Sequence, residues 1–118
     1  TIPNPDLVPE RRLSWHAAIL PYVEQKSLHD ALDRAAPWDA PANAAAVKDR
    51  FVRLFVCPSF AGPPPEVMLT TSVGVTGLGA DAADLPADDP RAGVFGHDRP
   101  LKLADIRDGT SNTALITE

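Results

Sequence analysis

The stretch Ser14–Arg34, SWHAAILPYVEQKSLHDALDR, decides how the rest of the chain is read. It is the longest segment with helical periodicity, and it holds one of the two tryptophans and the only tyrosine. Ser14 is a good helix N-cap, since its hydroxyl can accept from a first-turn N–H that has no partner within the helix. Trp15, Ala18, Ile19 and Tyr22 recur at helical spacing and predict one apolar face. Pro21 interrupts that face, because its ring clashes with the carbonyl four residues back and it has no N–H to donate. Ser27 and Asp30 approximate a capping box, with Asp in place of the usual Glu, and Leu28, Ala31 and Leu32 continue an apolar stripe. The stretch therefore predicts a broken helix, one arm near 15–25 and a second near 28–34.

Working outward, residues 1–12 hold Pro3, Pro5 and Pro9 with several charges and read as an extended lead-in. On the other side, Pro37-Trp38-Asp39-Ala40-Pro41 predicts a rigid turn that carries the Trp38 ring back onto the helix or a sheet. Ala42–Lys48 is alanine-rich and predicts a short helix capped by Asn43. Phe51–Cys57 is the densest β signal, ended by Pro58 and followed by the polyproline-like Pro63-Pro64-Pro65. Val67–Val75 predicts one strand, broken by Gly74, Gly77 and Gly79. Residues 80–92, ADAADLPADDPRA, read as a loop or partly disordered insertion. Gly93–Gly96 predicts a short edge strand, Leu101–Ile106 a weakly alternating segment, Asp108-Gly109 a tight turn and Thr113–Thr117 a final strand. Helix first and strands after predict an α+β fold: a broken N-terminal helix packed on a small antiparallel sheet with long loops, in a single domain over 13–118.

The totals narrow the function classes. A chain of 118 residues fits one domain. Its thirteen prolines are about twice the usual share, so loops are many and large core residues few. A net charge of −5 without a basic patch argues against nucleic acid and gives no positive strip for an anionic membrane. Cys57 is alone, which excludes an intrachain disulfide and a cysteine zinc site; beside Leu54, Phe55 and Val56 it reads as a buried small hydrophobe. No apolar run is long enough to span a bilayer. The chain opens without Met and stops at Leu115-Ile116-Thr117-Glu118 while a strand is being written, so a piece of a longer protein, cut at both ends, is expected.

The polar candidates are few. His16 has Leu20 where a helical zinc motif places its second histidine, so His16 and His29 read as solvated helix residues. Ser59 and Ser111 lack a nucleophile elbow, and Cys57 lacks an electropositive setting. No enzyme active site and no cofactor is expected. The richest polar run is Asp105-Ile106-Arg107-Asp108-Gly109-Thr110-Ser111-Asn112-Thr113. Oxygens from Asp105, Asp108, Ser111 and Asn112 suit calcium, which takes six to eight such ligands, and Asp105, Asp108 and Asn112 are the candidate metal residues. The competing reading is an Asx-type turn with Gly109 at positive φ, and Arg107 in the middle of the run disfavours a cation.

Three sets of residues, in order, carry a resemblance: Ser14-Trp15 with Leu20-Pro21-Tyr22-Val23-Glu24-Gln25; Pro37-Trp38-Asp39 followed by Phe55-Val56-Cys57-Pro58-Ser59; and Leu103–Thr113 running into Glu118. Over about residues 13–118 the chain resembles the planctomycete-type family of pseudopilin-like proteins, a prepilin-type domain of unknown function. The resemblance implies the globular head of a type II secretion or type IV pilus subunit. It would be held outside the cytoplasmic membrane by an apolar N-terminal helix missing here, with copies of itself or other pseudopilin-like subunits as partners. It also implies that Trp15, Tyr22 and Trp38 are fold-defining core or boundary aromatics. By analogy with the calcium-stabilised loop of major pseudopilins, it adds weight to the 105–112 turn.

A structural or assembly subunit is thus the first expectation. The alternative is a cell-surface ligand- or carbohydrate-binding module, with Trp38 as a stacking platform and the 105–112 loop holding calcium. A hydrolase with His97, Asp98 and Ser111 spread over loops is the third.

Overall fold

The computed structural model describes residues 1–62 and 69–118. The polyproline run Pro63–Pro65 and the opening of the strand expected from Val67 lie outside the described residues. Contacts gather into two compact units, 1–69 and 70–118. The first contains the helices and the second a small two-stranded antiparallel sheet, so the chain is α+β. Among the described residues no helix is long and apolar enough to cross a membrane.

The broken helix is present in the first unit, and its break has two causes. Helix α1, Trp15–Ile19, starts after Ser14 and passes at Pro21 into a 3-10 turn, Leu20–Val23. Glu24 then takes a left-handed conformation, φ 62°, and its N–H reaches back to the Leu20 carbonyl. The Gln25 N–H bonds the same carbonyl at 2.9 Å, and α2, Lys26–Ala31, begins. The expected capping box is not formed, because α2 starts one residue before Ser27. Nor does the Ser14 hydroxyl cap the backbone; it faces His16 Nδ1 at 3.4 Å.

The buried face is rotated from the expected one. Leu13, His16, Ala17 and Leu20 are inside, whereas Ala18 is exposed and Tyr22 is 86% exposed. Both sets satisfy helical spacing; the choice falls to Leu20, the bulkiest aliphatic side chain of the stretch, which is completely buried. Leu28 and Leu32 add a second ridge one turn apart. Val52 and Phe55 close the core, with Ile2, Ile19, Val23, Ala46 and Val47 at its margin. Phe51–Cys57 is therefore not a strand. Its buried residues lie three apart, and Arg53–Phe55 forms a 3-10 turn that leaves Leu54 exposed. Cys57 is half-buried.

The lead-in is folded rather than extended. Asn4 closes an Asx turn onto the Asp6 N–H, Pro9–Arg11 forms a 3-10 turn, and the Ile2 N–H bonds the Leu13 carbonyl. Arg12 is buried and donates through Nε to the Leu7 carbonyl at 2.7 Å. Helix α3, Pro41–Val47, opens on Pro41, a residue suited to the first helical position. Asn43 does not cap it. The side chain is 1% exposed; it accepts the Asp33 N–H and donates to the carbonyls of Asp33, Ala36 and Pro37.

The second unit is held chiefly by backbone pairing. Strand β1, Val73–Gly74, pairs antiparallel with β2, Ile116–Thr117, with Val73 opposite Thr117. The Val75 N–H extends the pairing to the Leu115 carbonyl. On its other side the same segment meets residues 91–95: Leu78 N–H to Arg91 O, Gly93 N–H to Thr76 O and Phe95 N–H to Val75 O, with a bridge between Gly77 and Ala92. The edge segment expected at Gly93–Gly96 is thus real, although only bridge-paired. Gly77 does more than break a strand: at φ +122° its missing Cβ would strike the Arg91 carbonyl. Residues 80–92 are ordered around the 3-10 turn Ala82–Asp84, and Ala82 is the one fully buried residue among the described residues of this unit.

Candidate functional site

Asp105, Asp108 and Asn112 fall on one turn of the second unit, built by its own hydrogen bonds. Leu103–Asp105 is a 3-10 turn, and Asp105 Oδ2 accepts the Lys102 N–H at 2.8 Å at its start. The Gly109 N–H then bonds the Ile106 carbonyl, and Gly109 sits at φ +80° as the tight turn requires. Asn112 Nδ2 donates to the Asp108 carbonyl and Thr113 Oγ1 to the Gly109 carbonyl, both at 3.1 Å. This is the Asx-type arrangement, in which polar side chains satisfy a reversing backbone.

Asp105 and Asp108 also border an open cleft of about 290 Å³, with Asp88 across it and Val94, Leu101 and Ile106 as its apolar lining. Arg107 stands in the same wall. The acidic rim favours cationic groups, while Arg107 and the dispersed carboxylates work against a single bound ion. Among the described residues, no three His, Cys, Asp or Glu side chains stand together as a metal ion would need.

Other charged groups are paired locally. Arg91 bridges Asp81 and Asp89, whose carboxylates hold the guanidinium still more firmly protonated, Asp81 most. Arg99 donates to the carbonyls of Leu85, Gly93 and Phe95, each at 2.8 Å, and so clamps the 85–95 loop. His97 Nδ1 lies 3.1 Å from Asp84 Oδ1, and its N–H bonds the Ala83 carbonyl. The acid that meets His97 is therefore Asp84, not its neighbour Asp98. Thirteen residues of proline-broken loop separate the pair, and no spacing rule signals it.

In the first unit, His16 is not solvated. It is buried, stacked on Trp15 at 3.9 Å between centroids and met edge-on by Phe55 at 4.8 Å. His29 is half-buried and touches Asp30, whose carboxyl is held below its ordinary value by hydrogen bonds from Lys26 and then His29. Trp38 is 56% exposed. Its Nε1–H donates to the Glu10 carbonyl and its backbone N–H to the Arg11 carbonyl, both at 3.0 Å. The two aromatics expected at the core or its boundary, Tyr22 and Trp38, thus face solvent, and Trp15 alone of the three is half-buried.

With this geometry in hand, comparison with known families gives one match. A family model described as "Protein of unknown function (DUF1559)", short name SBP_bac_10, covers residues 2–118. The chain belongs to this family. Membership in DUF1559 spans both compact units and assigns neither an activity. No curated protein and no solved structure matches the chain.

Proposed function

We propose that this DUF1559 chain is the head of a pseudopilin-like structural subunit, anchored in the membrane by a preceding apolar helix and assembling outside the cytoplasm with copies of itself or related subunits. The observation that carries the reading is the ordered motif set. Ser14-Trp15 opens α1, Leu20–Gln25 forms the helix break, and Asp108–Thr113 turns the chain into β2. Helices first and a small antiparallel sheet after them agree with such a head. The self-closed turn at Asp105–Thr113 would then hold the last strand in place, as a stabilised loop does in pilin-like heads.

The test is made on the parent protein in its own cells, by N-terminal sequencing and intact mass of membrane and soluble fractions. A membrane-bound parent with a methylated residue opening a long apolar helix ahead of Thr1 supports the proposal. A soluble parent that starts near Thr1 overturns it.

A further inference from the structure

We propose that Trp38, with the Arg11–Asp39 ion pair, forms a surface platform for the apolar face of a pyranose sugar. An exposed indole is expected to bury itself or to move freely, since it is large and apolar. Trp38 does neither. Two hydrogen bonds, from its backbone and its ring, fix it against consecutive carbonyls of residues 10 and 11. The turn that presents it is itself closed by Ala40 N–H to Pro37 O, and the Pro37 carbonyl is held by buried Asn43. With the Nε1 edge engaged and 56% of the residue open, the accessible part of the ring is its carbon surface.

The neighbours decide what that surface suits. Arg11, whose carbonyl receives the Trp38 N–H, pairs through Nη1 with Asp39 Oδ2 at 3.1 Å, and both side chains are open to solvent. A planar guanidinium fork and a carboxylate beside a fixed ring supply in-plane donors and acceptors for vicinal hydroxyls. A pyranose with equatorial hydroxyls presents complementary chemistry: C–H bonds over the ring face and hydroxyls around the edge. A protein partner would call for apolar neighbours around the indole, whereas the groups placed against it are carbonyls and an ion pair. The site is independent of the assembly proposal, and a failure of either leaves the other standing.

The experiment is a titration of the whole chain with two probes, a hexasaccharide of β-1,4-linked glucose and one of β-1,4-linked N-acetylglucosamine, read by the two indole N–H resonances. The expected result is a saturable shift of the Trp38 signal by at least one probe, with the Trp15 signal unmoved. W38A should weaken binding by about ten-fold or more and R11M by a few-fold. W38F, which keeps a stacking ring, should retain part of the affinity while its methyl spectrum reports an intact fold. Silence of the Trp38 signal toward both sugars overturns the proposal. So does a sugar response that survives W38A, or a Trp38 shift that follows protein concentration instead of sugar.

Discussion

Asn43 binds both backbone groups of Asp33: its Oδ1 accepts the Asp33 N–H at 2.8 Å and its Nδ2 donates to the Asp33 carbonyl at 2.9 Å. The same amide nitrogen reaches the Ala36 and Pro37 carbonyls. A buried side-chain amide thus stands where a strand would otherwise satisfy the loop between α2 and α3. N43A should lower stability by about 2–4 kcal/mol, because several buried backbone groups lose their partner at once. N43D should cost at least as much, since a carboxylate cannot donate to the carbonyls. Urea unfolding checks both, and a loss below about 1 kcal/mol in each would show that water replaces the amide.

His16 is the second test of the first unit. Its ring fills space between Trp15 and Phe55, so H16A should cost about 2–4 kcal/mol through the cavity it leaves. H16Q, which is polar like histidine but not aromatic, should recover little. Near-UV circular dichroism should lose intensity in both variants, as the Trp15 ring loses its stacked neighbour.

Gly77 tests the crossing in the second unit. G77A places a methyl against the Arg91 carbonyl and asks a non-glycine residue to hold φ +122°. The expected loss is about 2–4 kcal/mol. Hydrogen exchange should localise it: the amides of Val75, Leu78, Gly93 and Phe95 should exchange faster, and those of α1 and α2 unchanged.

The Asp30 carboxyl supplies a pH signature. Hydrogen bonds from Lys26 at 2.7 Å and from His29 hold its folded pKa below the ordinary 3.8. The folded state therefore binds this proton less readily than the unfolded chain, and the contribution is fully present above 3.8 and lost as pH falls through the lower folded value. Wild type should exceed D30N slightly at neutral pH, with the difference vanishing in acid. The effect is small because the group is fully exposed. A difference that grew on acidification would contradict this sign.

The 105–113 turn separates local bonding from cation binding. D105A removes the acceptor for the Lys102 N–H and should cost about 1 kcal/mol with or without calcium. A calcium-dependent rise in melting temperature that D108N or N112A abolishes would assign the turn to a cation.

Much of the first unit is legible in the amino-acid pattern, and the places where it is not share a cause. Pro21 announces the helix break because proline acts locally, through its ring and its missing N–H. Which side of α1 faces inward is not local. Trp15, Ala18, Ile19 and Tyr22 have the spacing, but Leu13, Ala17 and Leu20 have it too, and the polar His16 disguised the second set. Phe51–Cys57 has strand composition, yet Val52 and Phe55 found a helical core and no ladder. In the second unit the Asp108-Gly109 turn is readable from two residues. The pairing of residues 73–78 with both 91–95 and 115–117 is not, since backbone hydrogen bonds carry little side-chain signature. Among the candidate-site residues, the turn's composition points to polar closure, whereas the meeting of His97 with Asp84 and the exposure of Trp38 depend on packing that only the folded chain reveals.

The position of β1 between two later segments sets an order on biosynthesis. The core around Leu20 is complete once Phe55 has emerged, whereas Val73 must wait for Thr117 to gain its strand partner. At translation rates of roughly 5–20 residues per second, the earlier unit has several seconds to settle while the 73–78 segment still has one side of its backbone open. During that interval, Val73 and Val75 offer bare amides and carbonyls to whatever chain is near, including a nascent neighbour on the same message.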